Sequence, residues 1–153
     1  MIVETLLGQK FPPVTAAAYA IANDARAASG TDMGILGKAL ERDFNLRRTT
    51  TNDMNVMVGM VKEGALAVIN VGGNRGSYKG VFSDGGHYII ALGVADDGRL
   101  ILADPYLYSG KYDTDRRAAR VKVVDDLVYA APETAHIDAD NRNPRYTIFA
   151  RGD

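Results

Sequence analysis

The sequence predicts an α+β fold, and three observations carry that prediction. Up to residue 61, apolar residues recur at helical spacing between capping residues, whereas residues 65–71, 88–94 and 99–103 are short runs rich in β-branched and aliphatic side chains. The helices come before the strands instead of alternating with them, which is the order of an α+β domain rather than of a parallel βαβ array. With 153 residues, 46% of them hydrophobic and 24% charged, the chain can bury one ordinary core without a metal or disulfide staple. A single domain spanning residues 1–153 is expected.

Taken in order, residues 2–7 form the last turns of a helix closed by Gly8, a residue suited to the left-handed conformation that ends helices. Six residues are marginal for an isolated helix, so either this one docks tightly or it lacks its beginning before Met1. Pro12-Pro13 punctuates, and Val14 or Thr15 then opens an alanine-rich helix that should continue to about Ala28 and end at Ser29-Gly30. Thr31 or Asp32 caps a third helix, whose Ile35, Leu36, Ala39, Leu40 and Phe44 share one face. Residues 46–50 suit a short edge strand. Thr51-Asn52 then caps a helix with Met54, Met57, Val58 and Val61 inward and Gly64 as its stop.

Residues 65–71, 88–94 and 99–103 supply three central strands, the last two joined by a turn at residues 95–98. Between the first two lie fifteen residues, 72–86, with six glycines, expected to be a mobile loop on the rim of the sheet. Residues 121–124 are a further strand candidate, Asp125 or Asp126 a cap for a short helix containing Leu127 and Val128, and residues 146–150 a closing strand.

Charge narrows the functional classes. Eighteen basic against nineteen acidic residues leave a net charge of −1, without the basic excess that phosphate recognition requires, so no nucleic-acid partner is expected. No apolar run approaches the ~18 residues of a membrane span. Residues 1–4 resemble no export signal, and the compartment is not legible. The chain contains no cysteine, which excludes disulfides, thiolate metal sites and a thiol nucleophile among these residues.

The chemistry gathers around the second and third strands. His87 begins one and Asp104 ends the next. If the connecting turn holds an even number of residues, the two project from the same sheet face, directly opposite or diagonally. Diagonal Cα atoms lie roughly 7–8 Å apart, within reach of an imidazole and a carboxylate. Such a pair is the base and orienter of a nucleophilic hydrolase. It is also a structural hairpin contact in many proteins, and Asp104-Pro105 suits a simple turn.

The strand of residues 65–71, the Gly85-Gly86-His87 entry to the second strand and the Asp104-Pro105 exit from the third resemble the second half of papain-like domains related to bacterial double-glycine leader peptidases. Gly30-Thr31-Asp32-Met33 before a helix, and a later helix ending in glycine before the apolar strand, extend the similarity over most of residues 1–105. The resemblance implies a papain-like fold, with a helical half packed on an antiparallel sheet. It implies His87 as general base, Asp104 as its orienter, and a peptide substrate passing beside Gly85 and Gly86. No cofactor is implied.

The resemblance also places the nucleophilic cysteine near the start of the first helix, about six residues before Met1, in a Cys-Gly-Pro-Thr-like segment. Gln9 follows the helix and does not match the upstream oxyanion glutamine. Thr5, Ser77 and Ser83 have no placement that connects them to His87. The chain as written is therefore expected to be inactive. A truncated peptidase, a natural non-catalytic peptide-binding relative, and a site completed by a second chain all fit, and the short first helix favours truncation. Asp84, His87 and Asp104 lack diagnostic metal-ligand spacing, so no metal is expected. Residues 138–143 do not follow a calcium-loop pattern, and His136 is expected on a solvated loop.

Overall fold

The computed structural model describes residues 1–153 and has the α+β architecture, with a seven-stranded antiparallel sheet and flanking helices. The chain forms two compact units, Met1–Thr49 with Phe149–Asp153, and Thr50–Ile148. The division falls inside two strands of the sheet.

In the first unit α1 (Ile2–Leu7) buries Val3 and Leu6 and ends at Gly8, whose φ of 67° lets its N–H reach the Glu4 carbonyl. Helix α2 (Pro13–Ala22) starts on Pro13, one residue ahead of Val14, as proline's fixed φ favours, and stops six residues short of Ala28. The Asn23 amide donates to the Tyr19 carbonyl and Asp24 turns left-handed at φ 58°, so the chain leaves the helix there. Ser29-Gly30 consequently belongs to a small hairpin, β1 (Arg26–Ala27) with β2 (Gly30–Thr31). The Asp32 carboxylate accepts from the Ile35 N–H at 3.0 Å and caps α3 (Met33–Asp43). Phe11, Tyr19 and Phe44 pack as an aromatic trio with centroids 5.4–5.8 Å apart. The Tyr19 hydroxyl donates to Asp43 at 2.7 Å; burial and that carboxylate push the phenol up to about 12.

The sheet order is β3-β9-β4-β5-β6-β8-β7, with β3 (Leu46–Thr51) on one edge as its sequence suggested. In the second unit the N-cap of α4 (Met54–Lys62) is Asp53, whose carboxylate accepts from Asn55 and Val56 N–H; Thr51, expected to cap, instead accepts from Asp53 N–H. Helix α4 packs on β4 (Leu66–Val71) and β5 (His87–Val94) through buried Met57 and Val61. Strand β6 (Leu100–Ala103), helix α5 (Asp115–Ala118) and β7 (Val121–Val124) follow. Residues 127–130, expected to be helical, are strand β8 (Leu127–Ala130). Asp125 and Asp126 adopt φ of 50° and 64°, which forms a tight hairpin turn instead of a helix cap. Helix α6 (Pro132–Asp138) and strand β9 (Tyr146–Arg151) complete the chain.

The register explains where the core sits. Ala67 pairs with Ala91, Ile69 with Ile89 and Val71 with His87, and the five apolar members of this stripe are fully buried. Leu102 continues it across β6 and Val128 across β8. His87 therefore stands at the end of an apolar stripe, where the sheet face meets the loops.

Candidate functional site

Whether His87 and Asp104 share a face is decided by a β-bulge. Near the tip of the β5–β6 hairpin, Val94 pairs with Leu100, and the Ala95 N–H donates to the Arg99 carbonyl, leaving the odd count of residues 96–98 as the loop. The even-loop premise thus fails. Continued unbroken, that register would set Asp104 level with Ile90 and send it to the face opposite His87. The register shifts between Ala91 and Gly93, however, with Leu92 as the extra residue, so that Ile90 pairs with Ala103. One residue further, Asp104 lies level with Ile89, diagonal to His87 and on its face.

The two side chains meet there. His87 Nε2 lies 2.7 Å from Asp104 Oδ1, and the imidazole is 19% exposed against 1% for the carboxylate. An ionised carboxylate only accepts, so Nε2–H donates and Nδ1 is the nitrogen left for proton transfer. The Tyr106 N–H also donates to Oδ1, at 2.9 Å. Oδ2 accepts from the Lys111 ammonium at 2.5 Å and from the Tyr112 hydroxyl at 2.7 Å. Burial pushes the Asp104 carboxyl up, but the bonds from His87, Lys111, Tyr112 and Tyr106 outweigh it and hold the group well below the usual carboxylate range. Burial and Asp104 together push the Tyr112 phenol upward, so it remains a donor.

Lys111 and Tyr112 are functional neighbours that sequence reasoning missed. Lysine is seldom buried, and nothing marks residue 111 as an exception. The available signal was the turn-forming run after Asp104: Leu107 N–H bonds the Asp104 carbonyl, Lys111 N–H the Tyr108 carbonyl, and Gly110 takes φ 85°. This loop folds back and delivers Lys111 and Tyr112 onto the carboxylate that started it.

Gly85 and Gly86 lie exposed immediately before His87. A Cβ on Gly85 would meet open space, whereas one on Gly86 would lie 2.4 Å from the Arg142 guanidinium. Asp84 is not brought into the cluster; it pairs with Arg117 at 2.9 Å. The loop expected to be mobile is instead braced. The fully buried Asp138 accepts from the Tyr78 hydroxyl at 2.5 Å, from Val81 N–H at 2.9 Å and from Phe82 N–H at 3.1 Å, and Phe82 is itself fully buried. Arg75 stacks over Tyr78 and donates to the Ile137 carbonyl and Asp140.

His136 also departs from expectation, because it lies on α6 and not on a solvated loop. Its Nε2 is 2.6 Å from the Arg145 guanidinium, which only donates. The proton must then sit on Nδ1, which donates to the Tyr146 hydroxyl at 2.6 Å. Burial, with Arg145 second, lowers its pKa from the ordinary histidine value.

No family model matches the chain, and no curated protein or solved structure matches it either.

Proposed function

We propose that this chain carries the proton-handling half of a papain-like, cysteine-peptidase type of site for amide hydrolysis in peptides, with His87 as general base through Nδ1 and Asp104 as its orienter. The reading rests on the 2.7 Å contact between His87 Nε2 and the buried Asp104, reached only because the bulge at Leu92 sets both on one face. In this reaction a thiolate attacks the amide carbonyl and imidazolium Nδ1–H protonates the leaving amine. His87 then takes a proton from the water that cleaves the thioester. The thiol is not among these residues, so the pair alone does not turn over.

Lys111 refines the role of Asp104. An ammonium 2.5 Å from Oδ2 neutralises much of the carboxylate's charge, so Asp104 holds the ring in place more than it stabilises the imidazolium. The Asp–Lys pair then does the work of a neutral amide. This agrees with the use of asparagine as orienter in some relatives of the fold that the sequence resembles.

A second reading, a non-catalytic peptide-binding module, is favoured by one observation, the lack of any cysteine. One experiment separates the two. The coding sequence upstream of Met1 is read, the protein is made with the residues found there, and it is assayed on a fluorogenic peptide amide with and without a thiol alkylator. Alkylator-sensitive hydrolysis that falls about a hundredfold or more in His87→Ala establishes the peptidase. An upstream region without cysteine, or hydrolysis indifferent to His87, leaves the binding module.

A further inference from the structure

An open groove of about 700 Å³ lies on the far side of Asp104 from His87. Asp104, Tyr108, Lys111, Asp113, Val123 and Asp126 line it. Leu102 pairs with Val128, so continuing that register sets Asp104 level with Asp126. The groove thus runs from the end of β6 across β8 to β7, along the sheet end that holds His87.

Its charge is one-sided. Lys111 is the one cation in the wall, and its side chain is 3% exposed and spent on Asp104. Asp113 and Asp126 are exposed and neither carboxylate has a basic partner. Two aromatic rings stand at the same loop: Tyr106 and Tyr108 are 70% and 53% exposed and pack edge to face at 5.7 Å. Strand β7 is last in the sheet, so its outer edge offers backbone groups with no strand against them, and Val123 is 43% exposed. Unpaired carboxylates attract guanidinium or ammonium groups, exposed tyrosine faces stack on them, and a free sheet edge receives an extended backbone.

We propose that this groove binds an extended peptide segment bearing arginine or lysine side chains, which meet Asp113 and Asp126 while the backbone runs beside β7. The proposal rests on the peptidase-like reading for its purpose, since it gives the substrate class: a peptide whose basic residues lie to one side of the bond presented to His87. The binding itself does not require catalysis.

The test uses fluorescence polarisation with the full chain and a labelled hexapeptide of alternating arginine and valine, beside its glutamate–valine counterpart. Saturable, salt-sensitive binding of the arginine peptide alone is expected, weakened roughly three- to tenfold in Asp113→Asn/Asp126→Asn, which removes two exposed ion pairs. Tyr108→Ala, a separate variant, should also weaken it, and both variants should keep the parent's urea midpoint. Equal binding of the two peptides, or affinity unchanged in both variants, overturns the proposal. Displacement by spermine at the same concentration also overturns it, because charge capture would then need no extended chain. Binding retained in His87→Ala separates the groove from the dyad: the dyad reading fails instead if the His87 ring resonances stay unmoved in Asp104→Asn.

Discussion

The two histidines of this chain lie in the same unit, and each uses Nε2 for its main contact, yet they face opposite charges. His87 Nε2 meets the carboxylate of Asp104 at 2.7 Å; His136 Nε2 meets the guanidinium of Arg145 at 2.6 Å. The partners dictate opposite neutral tautomers, with the proton on Nε2 in His87 and on Nδ1 in His136. A carboxylate partner tolerates a second proton on the ring, whereas a guanidinium excludes it. The first arrangement suits proton transfer, and the second fixes a neutral ring that accepts from Arg145 and donates to Tyr146. Residue type alone would not have separated them.

The largest break in this comparison comes from removing the carboxylate. Asp104→Ala strands the buried Lys111 ammonium and the Tyr112 hydroxyl, and a loss of about 3–5 kcal/mol is expected, read as a lower urea midpoint with unchanged slope. The same carboxylate gives acid sensitivity. Its folded pKa is depressed, so its contribution is complete above the ordinary carboxylate range and is lost as pH falls below it; urea midpoints against pH check this.

A smaller break targets the loop that leads into His87 and is bonded to Asp138 on α6. A Cβ on Gly73, which has φ 74°, would lie 2.6 Å from the backbone of Asp84 and Gly85. Gly73→Ala should cost about 1–3 kcal/mol and shift the His87 ring resonances while leaving those of His136 in place, as an NMR comparison would detect.

The finest distinctions are titrations. His136, depressed in the fold, should remain neutral to below its ordinary value of 6.5, and its contribution to stability is present above 6.5 and lost as pH falls through the folded value. Arg145→Met should raise its midpoint only part of the way, because burial is the larger cause. Two-dimensional NMR of the imidazoles measures the His136 midpoint in the parent and in Arg145→Met.

Legibility in the sequence followed how local the determining physics was. The helix end at Gly8, the cap at Asp32, the edge strand from Leu46 and the three central strands depend on neighbours within a few residues, and the sequence carries them. Asp125-Asp126 was ambiguous because aspartate serves both as a helix cap and, at positive φ, as a hairpin turn; pairing of Val123 with Val128 decided for the turn. The order in the glycine-rich loop was invisible, since its acceptor, Asp138, lies 56 residues beyond Phe82. In the candidate site, the His87–Asp104 contact was legible as a possibility of hairpin geometry. Its mechanism was not read: Gly93, a glycine inside a strand, is the local mark of the bulge beside it, and the burial of Lys111 depends on how the 105–110 loop folds back.

The bulge has a consequence for how this hairpin tolerates changes in length. Leu92 is looped out between two stretches of intact pairing, so the strand can lose that residue and keep both registers, with Ala91 still beside Leu102 and Gly93 still beside Ile101. Residues 96–98 beyond the Ala95–Arg99 bond can likewise be shortened or extended without moving the paired strands. A one-residue deletion within 88–91 or at 103 has no such outlet and would turn either the imidazole or the carboxylate to the other side of the sheet. Insertions and deletions in this hairpin therefore divide into two silent places, the bulge and the loop, and a stretch between the bulge and the pair where a single residue decides whether the pair exists.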